Sequence, residues 1–228
     1  MIILGVEFSA PQRTVALRRG AALAEATEQG GRHTAALGMI EKVLTETATG
    51  RGEVDILVVG LGPGSYTGIR GALALAQGWQ LANGVKLLGV SSVEAIVARA
   101  HAEQLTGRVA VVIDAQRTEF YLASYDVTAA GWTEIEPLRI VPLAEVQARA
   151  EAGALIIGPE VTRWFPTGRI VFPTAATLTA LAGQRTDFVA GEHLEPIYLR
   201  ETTFVKAPPS RVIETPAPQT AGHGDTSR

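Results

Sequence analysis

The sequence predicts an α/β protein built from two units of related topology. Three observations support this: strand-like and helix-like patterns alternate along the chain, one order of elements occurs twice, and the second occurrence starts after a break at residues 101–107. The repeated order is strand, strand, strand, helix, strand, helix. Because a sheet must bury its apolar faces, such alternation is typical of sheets covered by helices. A chain of 228 residues is long enough to form both units.

The first unit is predicted from short apolar runs and one clear helical repeat. Apolar residues recur every three or four positions between residues 37 and 44, which is the spacing of an amphipathic helix. The continuous apolar run within residues 55–60 is typical of an interior strand of a parallel sheet. The predicted strands are 2–7, 14–18, 23–29, 55–60 and 86–90, and the predicted helices are 33–47, 67–82 and 91–101.

The second unit repeats this order. Its predicted strands are 108–114, 119–125, 134–140 and 154–158, and its predicted helices are 143–150 and 175–182. We therefore predict an N-terminal domain at 1–104 and a smaller C-terminal domain at 105–206. Residues 207–228 contain four prolines and almost no large apolar residue, so we predict a disordered tail there.

The composition argues against several classes of protein. The chain has no cysteine, which excludes disulfides, thiolate catalysis and cysteine-ligated zinc. Its net charge of -3 argues against unaided binding of nucleic acid, because such proteins usually carry a basic excess. Without a signal-like start or a run of about 18 apolar residues, we predict a cytoplasmic protein with no membrane association.

A glycine-rich loop joins the fourth predicted strand to the helix that follows it. Residues 60–70 read GLGPGSYTGIR, and positive φ angles are expected at Gly62 or Gly64. Amides at the start of the helix form a potential anion site. However, the loop has neither the Gly-Lys-Ser/Thr of a Walker A loop nor the G-x-G-x-x-G spacing of a dinucleotide site. We favour the alternative, a turn needed to pack the helix on its strand.

The helix after this loop has an unusually thin surface. Gly68, Gly71 and Gly78 lie within it, and each costs about 1 kcal/mol relative to alanine. Gly71 and Gly78 are seven residues apart, with Ala74 and Leu75 on or near the same face. Small side chains let another helix approach closely. The face therefore packs either against the chain's own sheet or against another subunit.

The residues described above resemble a known family. The run GPGSYTGIRGALA at 62–74 is similar to the central signature of the TsaB family, the non-catalytic paralogue in bacterial synthesis of threonylcarbamoyladenosine on tRNA. Weaker matches follow the family's order: ILGVEFS at 3–9 with VAL at 15–17, IDAQRTEFY at 113–121 and PIYLR at 196–200. Together they span residues 3–200.

The resemblance implies the actin-like ATPase (ASKHA) fold, with two RNase H-like units of which the second is reduced. It implies a scaffold that binds and activates a TsaD-type catalytic subunit, with a TsaE-type ATPase in the assembled complex. It also implies that the isolated chain forms a homodimer, that tRNA is reached only through the complex, and that the chain is not itself an enzyme. A different class of function, an autonomous small ATPase or kinase of this fold, would need intact phosphate hairpins and a full second domain.

The resemblance places the partner interface on the helix after the glycine loop. Arg70 stands near the start of this helix, where its charge is unfavourable to the helix dipole, so it is a candidate for pairing with a partner carboxylate. A solvated arginine is the alternative. The predicted interface residues are Gly64, Tyr66, Thr67, Ile69, Arg70, Gly71, Ala74, Leu75 and Gly78.

Glu7, Ser9 and Asp114 are the candidate cofactor-binding residues. In active members of the wider fold, hairpins near these positions hold phosphate with a glycine at the tip, and both hairpins here lack that glycine. Glu7 and Asp114 could face each other across a cleft and hold a hydrated Mg²⁺. We favour carboxylates satisfied by hairpin amides. We expect the isolated chain to require no cofactor, with ATP or ADP possible at the complex interface.

We identify no catalytic residues and no metal ligands. None of the four histidines has another three to five residues away, so the helical His pair of a metallopeptidase is missing. Ser65 lies in no G-x-S-x-G frame, which argues against a serine hydrolase.

Overall fold

A computed structural model describes residues 1–30 and 34–200. The first part of the chain forms β1 (Ile2–Glu7), β2 (Gln12–Arg19), β3 (Ala22–Gln29), α1 (Ala36–Glu46), β4 (Ile56–Gly60), α2 (Tyr66–Asn83), β5 (Lys86–Val90) and α3 (Ser92–Ala102). The second part forms β6 (Gly107–Asp114), β7 (Glu119–Thr128), β8 (Gly131–Pro142), α4 (Leu143–Glu151), β9 (Leu155–Gly158), β10 (Arg169–Ile170) and α5 (Ala175–Ala182). The predicted tail at 207–228 lies outside the described residues.

The two sheets share one topology. The first has the strand order β3-β2-β1-β4-β5 and the second β8-β7-β6-β9-β10. In each, a meander of three antiparallel strands is extended by two parallel strands. The predicted fold class, two RNase H-like α/β units of the actin-like ATPase fold, is confirmed. Both described sheets have five strands, so the second unit is not reduced in strand number.

Helices cover both faces of the first sheet, because its central strands are apolar throughout. Every residue of β1 and β4 is buried. On one face, side chains of α1 and α2 share a core with alternate residues of these strands. On the other face, α5 packs against the remaining residues of β1 and β4. The continuous apolar runs of the sequence follow from this two-sided cover.

The two units exchange a helix. α3 precedes the second sheet, yet its apolar side chains pack with residues of β6 and β7. α5 follows the second sheet, yet it packs on β1, where a Cβ added at Gly5 would lie 2.7 Å from the carbonyl oxygen of Ala175. The Ala175 amide also donates to Thr14 Oγ1 at 2.7 Å. The division between 1–104 and 105–206 therefore follows chain order, whereas the packing crosses it.

Residues 189–200 form a strap that runs from the first sheet to the second. Val189 pairs with Leu87 of β5, and the Ile197 amide donates to the Leu61 carbonyl at 2.9 Å. Arg200 then donates to the carbonyl of Ala115 at 2.9 Å. Among the described helices, none is long and apolar enough to cross a membrane.

Candidate functional site

The glycine loop folds tightly against the end of β1. Gly62 and Gly64 have φ angles of 85° and 149°, so both positions favour glycine, as the sequence predicts. A Cβ at Gly64 would overlap the carbonyl oxygen of Ser9, and one at Gly68 would overlap that of Phe8. The Ser65 amide donates to Ser9 O at 2.7 Å. These three glycines are therefore explained by packing within the chain.

α2 begins at this loop and presents one thin face to solvent. Ser65 caps the helix by accepting the Gly68 amide at 3.3 Å. At Gly71 and Gly78, nothing lies within 4 Å of where a Cβ would stand. Packing on the chain's own sheet thus gives no reason for glycine at either position. The exposed residues of this face, which we call the α2 stripe, are Thr67, Arg70, Gly71, Ala74, Gly78, Leu81 and Ala82.

The structure corrects part of the predicted interface. Ile69 is 1% exposed and belongs to the core of the first unit, so the prediction that it faces a partner is wrong. Gly64 lies against Ser9 and lines a cleft, and Leu75 packs partly on the core. Helical spacing decides the positions of Ile69 and Leu75, because both lie on the side of α2 that turns toward the sheet.

One strongly exposed apolar residue is absent from the predicted interface. Leu81 is 90% exposed and lies at the end of the α2 stripe. It stands seven residues after Ala74, so helical spacing was the signal that could have identified it. A leucine this exposed, one turn after Gly78, makes the C-terminal part of the stripe apolar.

The N-terminal end of the α2 stripe carries an aromatic stack. Arg70 donates to the Tyr66 hydroxyl at 2.8 Å, and its guanidinium lies 5.1 Å from the centre of the Tyr66 ring. Tyr66 in turn stacks on Tyr198 of the strap at 5.7 Å. A groove of about 460 Å³ lies beside this stack, lined by Arg70, Leu73, Ala74, Gln77, Leu194, Glu195, Pro196 and Tyr198.

The hairpins after β1 and β6 share one contact, in which a carboxylate accepts the backbone amide two residues later. Glu7 Oε1 accepts the Ser9 amide at 2.7 Å, and Asp114 Oδ1 accepts the Gln116 amide at 2.7 Å. The interpretation that hairpin amides satisfy both carboxylates is confirmed. In the second hairpin, Gln116, Arg117 and Thr118 have φ angles of 65°, 59° and 61°. Three consecutive non-glycine residues with positive φ are uncommon and leave no mark in the sequence.

Glu7 lies in the interior of the protein. Its side chain is fully buried, and Oε2 accepts the Ser92 hydroxyl at 2.9 Å. The space it fills exists because residue 60 is glycine, since a Cβ there would overlap the carboxylate. Burial raises the pKa of Glu7, and hydrogen bonds from Ser9 and Ser92 act in the opposite direction.

Asp114 and Ser9, by contrast, line an open cleft of about 470 Å³ between the two units. Glu7 is not part of its wall, so Glu7 and Asp114 do not face each other across the opening. Within residues 1–30 and 34–200, no group of three His, Cys, Asp or Glu side chains could hold a metal ion. Other residues lining the cleft include Arg13, Gly64, Tyr66, Gln116, Tyr121, Glu160 and Trp164.

Comparison with known proteins assigns the chain to a family. The family model described as TsaD, tRNA N6-adenosine threonylcarbamoyltransferase, matches residues 27–192, which include the glycine loop and all of α2. The chain belongs to this family.

Relatives that match most of the chain are named TsaB or YeaZ rather than TsaD. The tRNA threonylcarbamoyladenosine biosynthesis protein TsaB of Escherichia coli is 29% identical over 192 residues, covering 77% of this chain and 83% of that protein. The structure titled YeaZ from Pseudomonas aeruginosa has a TM-score of 0.75 at 26% identity and covers 87% of this chain and 99% of the other. A second Pseudomonas aeruginosa structure, of a protein described as similar to peptidase YeaZ, has a TM-score of 0.76 at 27% identity, with the same coverage. The predicted resemblance to TsaB is confirmed.

Proposed function

We propose that this chain is a non-catalytic scaffold in the synthesis of N6-threonylcarbamoyladenosine on tRNA, and that it binds and activates a TsaD-type catalytic subunit through the α2 stripe. The observation that carries the proposal is the bare, solvent-facing backbone at Gly71 and Gly78. Each glycine weakens an exposed helix interior, so it has to be justified by something outside the isolated chain.

The α2 stripe suits a second helix. Where side chains are absent, two helix axes can approach to the short end of the usual range of about 8–10 Å. Leu81 would be covered in such a contact, and burying a leucine contributes about 1.5–3 kcal/mol. Arg70, held over Tyr66, sits at the polar end of the stripe, where a partner carboxylate would replace water.

The internal chemistry supports a scaffold rather than an enzyme. In the first hairpin, the carboxylate that would face a substrate is turned inward and bonded to Ser9 and Ser92. The glycine loop is filled by the backbone of residues 8 and 9. An autonomous ATPase or kinase would need these groups free to approach phosphate.

The remaining parts of the proposal concern the assembly. We infer that a TsaE-type ATPase joins the complex, that tRNA is reached only through it, and that ATP or ADP, where required, binds at the interface between subunits. The isolated chain would use the same α2 stripe to form a homodimer in the cytoplasm.

Co-purification with the TsaD-type subunit of the same organism tests the interface. Ala74→Glu and Gly71→Arg should abolish association while the isolated protein keeps its melting temperature. Ala144→Glu is the matched control, because Ala144 is an exposed alanine on α4, away from the α2 stripe. Association unchanged in Ala74→Glu would refute the interface.

Reconstitution tests the scaffold role. Threonylcarbamoylation of tRNA by the other purified subunits should require this chain, and Ala74→Glu should fail to restore it. Calorimetric titration of the chain alone with Mg-ATP distinguishes the scaffold from the alternative function. Tight binding with turnover would identify an autonomous ATPase.

A further inference from the structure

Glu7 is an unusual residue for the interior of this protein. It is 0% exposed, whereas the other buried polar residues of the described chain carry only hydroxyl groups. Burying a carboxylate is costly unless its oxygens are well bonded. The proposed scaffold role uses no internal carboxylate, so the position of Glu7 requires another explanation.

Both oxygens of Glu7 lead to the glycine loop. Oε1 accepts the Ser9 amide, and the Ser9 carbonyl accepts the amide of Ser65, the residue that caps α2. Oε2 accepts the Ser92 hydroxyl, and the same hydroxyl oxygen accepts the Gly62 amide at 3.2 Å. The Ser92 amide returns a bond to the Gly62 carbonyl at 2.9 Å. One carboxylate thus fixes the loop at its middle and at its end.

The Ser92 hydroxyl makes this arrangement depend on charge. A hydroxyl has a single proton, which here goes to Glu7 Oε2 and leaves lone pairs free for the Gly62 amide. If Oε2 were protonated, two protons would compete for the space between the oxygens of Glu7 and Ser92. The hydroxyl would have to turn toward the loop, where it meets the N–H of Gly62 instead of an acceptor.

We propose that Glu7 is a positioning residue for the docking helix: its ionised carboxylate, acting through Ser9 and Ser92, holds the glycine loop and the start of α2 in the orientation that a partner binds. The inference rests on the proposed function, because it assigns a control to the same α2 stripe. It predicts that partner affinity depends on the protonation of one buried group.

The surroundings of Glu7 are neutral. β1, β2, β4, α3 and the turn after β1 pack around it. The groups that face it are the amide of Ser9, the hydroxyl of Ser92, the backbone of Gly60, and Thr14, its neighbour in the sheet. No charged side chain within residues 1–30 and 34–200 contributes to the change in its pKa, which burial raises. The carboxylate therefore ionises at a higher pH than an exposed glutamate, and partner affinity should rise as the pH rises through that value.

Two measurements test the inference between pH 5 and 8.5. The first follows the Gly62 and Ser65 amides of the isolated protein by ¹⁵N NMR. The second measures affinity for the purified TsaD-type subunit by calorimetry. The variants are Glu7→Gln, Ser92→Ala and a matched control, Glu53→Gln, whose carboxylate accepts a backbone amide of Gly50 far from the loop.

In the wild type and in Glu53→Gln, both amides should titrate with one midpoint, and affinity should rise by up to about tenfold per pH unit, the limit for one coupled proton. In Glu7→Gln, the titration of both amides and the rise of affinity with pH should disappear. In Ser92→Ala, Gly62 should lose its titration while Ser65 keeps it. This last variant retains Glu7, so it also answers the objection that Glu7→Gln is merely misfolded.

An identical amide titration in Glu7→Gln would overturn the inference. Equal pH profiles of affinity in the wild type and Glu7→Gln would also overturn the inference. If Ala74→Glu still abolishes binding in that case, the proposed function would stand without a role for Glu7. Binding that survives Ala74→Glu would instead refute the proposed function, and with it the docking part of the inference.

Discussion

The hairpins after β1 and β6 share a contact between a carboxylate and the amide two residues later, but they place these carboxylates in different environments. Glu7 is sealed inside the protein, whereas Asp114 lies on the wall of the cleft. The glycines that end the neighbouring parallel strands account for this difference. At Gly60 the missing side chain leaves room for the Glu7 carboxylate, while at Gly158 it leaves room for the carbonyl of Val112. The contact is therefore local, but the role of its carboxylate is set by the neighbouring strand.

Gly60→Ala should have the largest effect, because the added Cβ would displace the buried carboxylate. Breaking a buried, hydrogen-bonded charge costs about 3–5 kcal/mol, so we expect a loss of that order in the free energy of unfolding. Urea denaturation would measure it. Gly52→Ala is the control, since Gly52 has nothing within 4 Å of a new Cβ. A loss below about 1 kcal/mol would mean that Glu7 relaxes easily.

Ser92→Ala should cost less. It leaves one oxygen of Glu7 and the amide of Gly62 without their partner, which is worth about 1–3 kcal/mol. Since the Ser92 hydroxyl lowers the pKa of Glu7, its removal should raise that pKa further. The destabilisation should thus be greater at pH 8 than at pH 5. Equal losses at both values would contradict a charged carboxylate at this position.

Glu7→Gln should change the pH dependence of the free energy of unfolding more than it changes the magnitude of that free energy. Burial raises the pKa of Glu7 above that of the unfolded chain, so the folded state binds the proton more tightly. The stability contributed in this way is complete below pH 4.5, the ordinary pKa of a glutamate, and is lost as the pH rises through the pKa of the folded state. The loss amounts to about 1.4 kcal/mol for each unit between the two pKa values. Thermal unfolding across this range should show the slope in the wild type, and a slope of the same size in Glu7→Gln would refute the assignment.

Asp114→Asn should have the smallest effect. Asparagine can still accept the Gln116 amide through its own oxygen, and Asp114 is partly exposed, so we expect a change below about 0.5 kcal/mol. Chemical denaturation at pH 5 and pH 8 would check this. A loss as large as that of Ser92→Ala would show that the two hairpins are not as different as their environments indicate.

Much of the fold could be predicted from the sequence, because strand and helix spacing is a local property. The strands at 2–7 and 86–90 and the helix at 175–182 were predicted with the bounds that the structure has. β10 was missed because two exposed residues form no pattern. The exchange of α3 and α5 was also missed, since an apolar stripe predicts that a helix is covered but not which sheet covers it.

The candidate site was predicted less evenly. The glycine loop and the thin face of α2 could be predicted, because closely spaced glycines and alanines are a clear signal in the sequence. Ile69 was assigned to the interface because the family signature includes it, although its helical position turns it inward. The contact from Glu7 to Ser92 joins residues 85 apart in the sequence, and no spacing rule reaches that far.

The exchanged helices have a consequence for how the chain could be divided. A polypeptide ending at residue 104 would carry α3 without the strands it covers, and one starting at 105 would carry α5 without β1. Each fragment would expose both an apolar sheet face and an apolar helix. The helix of each fragment is the one that covers the sheet of the other. Two such pieces made separately should be insoluble, and made together should reassemble into one particle.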